Sequence, residues 1–197
     1  GKLSSLGNER ALLVGAALSE LLSAGVVRVD DKGSKIYVEK ELGEELAHLE
    51  GVYRYLNKKQ RTIDQLAADY CISFTDDLYD DLLDPVCKDL VTAEYVECRP
   101  RGILGNKRSY IPKPEILEEV RSQILPEKLE AADEKQMTLA FLLDKANRLK
   151  KLFDKDEVKA IREQIKKQNA DHAAIQKIVT FLDELMIVLA TLGAMSV

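Results

Sequence analysis

The chain has 197 residues, 46% of them hydrophobic, with a mean hydropathy of -0.20. That is enough to bury a real core in one domain or two small ones, and it excludes a disordered chain or a membrane-spanning one. A net charge of -5 and a pI near 5.3 argue against a dedicated nucleic-acid binder. Cys71, Cys87 and Cys98 are odd in number and share no close spacing, so they read as reduced thiols rather than a disulfide frame or a zinc site. No signal-peptide pattern is present, and a cytoplasmic setting is expected.

In chain order, Asn8–Ala24 is apolar on almost every side and is predicted as a buried central helix. Gly25 supplies its C-cap, and "VVRVD" and "KIYVEK" then flank the turn Asp31–Ser34, where Gly33 can take a positive φ. Leu42, Leu46, Leu49, Val52 and Tyr53 predict an acidic helix over Glu41–Leu56. Thr62 caps a short helix, and Thr75–Thr92 forms the next, interrupted or kinked at Pro85. Lys88–Lys113 repeats the helix-then-hairpin order, and Pro114 opens a further helix. Beyond Asp133 only helices remain: one over "MTLAFLLDKANRLKKLF", a strongly charged one over "DEVKAIREQIKKQ", and a mostly apolar one from His172. The expected fold is mainly α, a single helical domain over residues 1–197 carrying two β-hairpins.

The sharpest local motif is "TDDLYDDLLD". Asp76, Asp77 and Asp80 fit a DDxxD magnesium-diphosphate pattern, and Asp80, Asp81 and Asp84 fit it again. No second acidic motif faces it, so a solvated helix face is the reading adopted. His48 and His172 stand alone, and "RGILGNK" lacks the spacing of a phosphate loop. No catalytic residue, metal site or cofactor is expected. Arg99, Arg101, Lys107, Arg108 and Lys113 fall within fifteen residues that contain no acid. Two readings stand for them: lysines and arginines blunting an exposed edge, or an anionic-surface contact helped by Ile103 and Leu104. A helix followed by a hairpin also suggests a winged DNA-binding regulator. Its recognition helix, however, would carry Asp76, Asp77, Asp80, Asp81, Asp84 and Asp89 against phosphates, so nucleic acid is the lesser alternative.

Three segments together resemble the Golgi phosphoprotein 3 family: "GAALSELLSAGVVRV", "VCKDLVTAEYVE" with Glu94 where the family has glycine, and the helices around "LAFLLDKANRLKKLF". The family's leading helix has no counterpart here, and the chain is read as beginning just after it. The resemblance implies a non-enzymatic peripheral membrane protein. Its eukaryotic members bind phosphatidylinositol 4-phosphate and the cytosolic tails of Golgi enzymes. Anionic phospholipid head groups are therefore the expected partners, with protein clients and self-association as further ones. The relatives' lipid pocket uses a tryptophan and three arginines, whose positions align here with Ser5, Val14, Asp80 and Leu83. None matches. The expected lipid-contacting cations are Arg10, one helical turn before Val14, together with Arg99, Arg101, Lys107 and Arg108.

Overall fold

The computed structural model describes residues 2–30, 35–72, 77–101 and 107–171, with 180, 183 and 187; of residues 2–9, 101, 107 and 169–171 it describes the backbone. The turn holding Gly33, Thr75 and Asp76, the hairpin tip with Ile103 and Leu104, and His172 with most of the segment after it lie outside the described residues.

Helix α1 spans Lys2–Ser23 and forms the axis of the core. Ala11, Val14, Ala17, Leu18 and Leu21 are at most 3% exposed, so its small and branched residues bury more than one face. Ser19 Oγ donates to the Gly15 carbonyl at 2.8 Å, which lets a hydroxyl sit in this apolar interior. The helix stops at Gly25, whose φ of 67° is left-handed. There Val26 N–H donates to Leu21 O and Gly25 N–H to Leu22 O, both at 2.9 Å, in a Schellman closure.

Strands β1 (Val27–Val29) and β2 (Lys35–Val38) pair antiparallel as expected, but β3 (Arg61–Thr62) adds a third strand against Lys35 and Ile36. Val27 and Ile36 bury the inner face. Outside, Arg28 lies 4.5 Å from the ring centroid of its cross-strand partner Tyr37 and bonds Glu39 at 2.9 Å. One face of this hairpin belongs to the core, so it is not a free wing.

The acidic helix expected over Glu41–Leu56 is a 3-10 segment at Glu44–Leu49 followed by α2 at Glu50–Lys58. Thr62 caps α3 (Ile63–Ala67) through a reciprocal capping box with Gln65, and a π-helical turn follows at Ala68–Ile72. The ring of Tyr70, 1% exposed, meets Tyr55 edge-on at 5.2 Å. Helix α4 (Asp77–Thr92) runs through Pro85 without a break. Pro85 brings no N–H to the Asp81 carbonyl, and α2 packs beside α4. A Cβ built on Gly51 would lie only 2.8 Å from that Asp81 oxygen. The glycine is thus required by the close approach of two helices at a carbonyl to which Pro85 brings no N–H.

Strands β4 (Val96–Arg101) and β5 (Lys107–Pro112) form the second hairpin. The junction with α4 repeats the first: Tyr95 N–H donates to Leu90 O, Glu94 N–H to Val91 O, and Glu94 takes φ 59°. Helices α5 (Pro114–Gln123) and α6 (Pro126–Leu129) each begin with proline, and α7 (Glu134–Lys145) begins at a capping box of Asp133 with Gln136. The single helix expected from Met137 to Phe153 is instead divided. Asn147 adopts φ 56°, Arg148 N–H closes onto Leu143 O, and α8 (Leu149–Leu152) starts anew. Asparagine tolerates this left-handed position better than most residues, which is why the break falls there. Helix α9 (Lys155–Asp171) turns Val158, Ile161 and Ile165 inward and packs on α6 and α7.

Candidate anionic-surface site

The register of the second hairpin sorts its cations onto two faces, because side chains alternate along a strand and cross-strand partners share a face. Arg99 pairs with Ser109 on the face of Glu97 and Ile111, and two rungs nearer the tip the backbone of Arg101 pairs with that of Lys107. Arg108 pairs with Pro100 and shares the opposite face with Cys98 and Tyr110. That second face turns toward α4. A groove of about 480 Å3 lies between them, bounded by Asp84, Lys88 and Val91 of the helix and by Cys98, Arg108 and Tyr110 of the hairpin. Tyr110 donates a long hydrogen bond, 3.5 Å, to Asp84.

Several of these charges are already answered. Arg99 donates to Glu97 through Nε at 3.1 Å, and Lys113 Nζ lies 3.6 Å from Glu94. The acid-free run of sequence is therefore less positive in space than in line, since the neutralising carboxylates come from just outside it. Exposed apolar area accompanies the charge: Tyr95 is 43% and Ile111 39% exposed at the base of the hairpin.

Arg10 is on α1, half-buried, with its guanidinium 4.7 Å from the Tyr79 ring centroid on α4. It is also near enough to Cys71 to oppose the burial that pushes that thiol up to about 12. The positions aligned with the relatives' lipid pocket are dispersed in character. Val14 is fully buried, Asp80 is exposed on α4 and Leu83 is half-buried, while the Ser5 side chain is outside the described residues. Asp77, Asp81 and Asp84 are exposed along with Asp80. Among the described residues, no three His, Cys, Asp or Glu side chains gather as they would around a metal. His48 Nε2 lies 3.2 Å from Glu20 Oε2.

A family model described as Golgi phosphoprotein 3 (GPP34) matches residues 1–181. The chain belongs to the Golgi phosphoprotein 3 family. No curated protein matches the sequence. The mainly α architecture with small antiparallel sheets agrees with membership of the Golgi phosphoprotein 3 family. No helix among the described residues is long and apolar enough to cross a membrane.

Proposed function

We propose that this Golgi phosphoprotein 3-like protein is a non-enzymatic, peripheral binder of anionic membrane surfaces. In this reading the second hairpin is a contact and phosphatidylinositol 4-phosphate is not selected over other anionic lipids. The observation that carries the reading is the register of the hairpin, in which the exposed Arg99 and Ile111 stand on the face opposite the one turned toward α4 and the backbone pairing of Arg101 with Lys107 continues toward the tip. Cations near an anionic leaflet each contribute roughly 1 kcal/mol before screening, and a few apolar side chains add shallow anchoring. Head-group selectivity is another matter, because it needs several donors fixed on one phosphate. Val14 is buried and Asp80 would repel a phosphate, so the relatives' pocket chemistry has no counterpart at those positions.

Duplex DNA is the poorer ligand, since α4 would carry exposed Asp77, Asp80, Asp81 and Asp84 into a phosphate-lined groove. Vesicle co-sedimentation tests the reading. Binding to phosphatidylserine vesicles should fall as salt rises and match binding to phosphatidylinositol 4-phosphate vesicles of equal surface charge. The combined change Arg99→Glu, Arg101→Glu, Lys107→Glu should weaken both at least tenfold. A variant that binds as wild type does, or a strong preference for the 4-phosphate lipid, overturns the proposal.

A further inference from the structure

Unneutralised positive charge is also concentrated away from the hairpin, on α8 and α9. Residues 148–168 hold eight Lys and Arg against four Asp and Glu. Two of those acids are engaged locally. Asp154 accepts the Asp156 and Glu157 N–H groups at 2.9 Å as the cap of α9, and Glu157 accepts Arg121 at 3.1 Å. Arg162 is held by Asp144 at 2.7 Å. Lys150, Lys151, Lys155, Lys159, Lys166 and Lys167 are all exposed. Among the described residues none of the six has an acidic partner within 4.0 Å. Elsewhere Arg28, Arg61, Arg99, Lys113 and Lys145 each have one.

Position on the helix orders this charge. Lys155, Lys159, Arg162 and Lys166 recur at i, i+4, i+7 and i+11, so they line one flank of α9 over about 16 Å of its length. The inward stripe of Val158, Ile161 and Ile165 fixes the rotation of the helix and keeps that flank outward. With Lys150 of α8 it rims a groove of about 750 Å3 whose lining also includes Asp154, Asp156 and Glu163, five cations against three carboxylates. The apolar residues beneath, Phe153 and Val158, are 7% and 5% exposed.

We infer that this lysine flank of α8 and α9 is a second contact for anionic bilayers, adsorbing by charge without insertion. The inference rests on the reading that the chain meets such bilayers. A membrane is favoured over an acidic protein segment for two reasons. Lysine ammoniums on flexible stems carry no fixed donor geometry with which to set the register of a peptide. Nor does the floor expose an apolar anchor site of the kind that concentrates affinity in protein interfaces. A spread of mobile cations is what a fluid sheet of anionic head groups requires.

The test compares the full chain, the variant Lys155→Gln, Lys159→Gln, Lys166→Gln and the corresponding triple Glu variant on phosphatidylserine vesicles at low salt, with far-UV circular dichroism to check folding. The Gln variant should bind about a hundredfold more weakly, from roughly 1 kcal/mol per lysine and a decade per 1.4 kcal/mol, and the Glu variant more weakly still. Wild-type binding to vesicles with unchanged binding of both variants would overturn this inference alone. No binding by wild type would fell it together with the membrane reading. Tight binding of a labelled polyglutamate without vesicle binding would reassign the flank to an acidic protein partner and also overturn it.

Discussion

Replacing Gly51 with alanine sets two effects of opposite sign against each other. Inside a helix, alanine is favoured over glycine by about 1 kcal/mol, so propensity alone predicts a stabilised protein. The packing predicts the reverse. The new Cβ would lie 2.8 Å from the Asp81 carbonyl oxygen and 3.2 Å from its carbon, and both are backbone atoms that cannot rotate away. Relief requires α2 and α4 to separate by several tenths of an ångström. That loosens a seam containing Val52 and Leu82, each 0% exposed. Overpacking of this kind costs about 1–3 kcal/mol, so the net effect after the propensity gain is a loss of up to about 2 kcal/mol. In a chain of this size that lowers Tm by up to about 8 °C. Gly43→Ala is the control, because its Cβ meets the mobile carboxylate of Glu45 instead of backbone, and it should stay within about 1 kcal/mol of wild type. Thermal unfolding followed by circular dichroism decides. A higher Tm for Gly51→Ala would show that α2 does not rest on the Asp81 carbonyl.

The two helix-to-hairpin junctions make a matched pair: Gly25→Val should lose about 1–2 kcal/mol at its left-handed φ. Glu94→Gly should change urea stability by less than 1 kcal/mol, strain relief being offset by unfolded-chain entropy and the Lys113 pair. Ellman's reagent at pH 8 should label the exposed Cys98 in the native protein and all three thiols after denaturation, and labelling of more than one native thiol counts against the core described. Burial pushes Cys71 up to about 12 and Cys87 up to about 11, from an ordinary 9.0. Unfolded thiols therefore lose their protons first as pH rises, so stability should be level below about pH 9 and fall from there toward pH 12. Burial of Tyr55 and Tyr70, with Asp69 adding to it, acts in the same direction above pH 10. A urea midpoint that rose between pH 9 and pH 11 would contradict this.

Local chemistry made much of the fold legible. Thr62 and Pro114 sit where a helix start needs them, and Gly25 where a left-handed C-cap needs it, so those boundaries could be read directly. Glu94 could be located as the second such position through the family resemblance, although its side chain disfavours the conformation it adopts. Strand β3 was invisible because two residues carry no periodicity. The break at Asn147 was masked by leucines that keep helical spacing on both sides of it. The candidate site was harder to read, because neutralisation is a property of space. An acid-free run drew attention to the hairpin, yet Glu97 and Glu94 reach its cations from outside the run. In the sequence α9 reads simply as strongly charged; the structure pairs Glu157 across to Arg121 and gives its lysines no acidic partner within 4.0 Å among the described residues.

The central claim, adsorption to anionic bilayers without selection of one head group, is tested most directly by wild-type binding isotherms. These would use vesicles of phosphatidylcholine alone, with phosphatidylserine, and with phosphatidylinositol 4-phosphate at matched surface charge, each at low and physiological salt. The account predicts no binding to the neutral vesicles, equal binding to the two anionic ones, and a steep loss with salt in both. Binding that ignored surface charge, or a preference of tenfold or more for the 4-phosphate lipid that survived physiological salt, would contradict it.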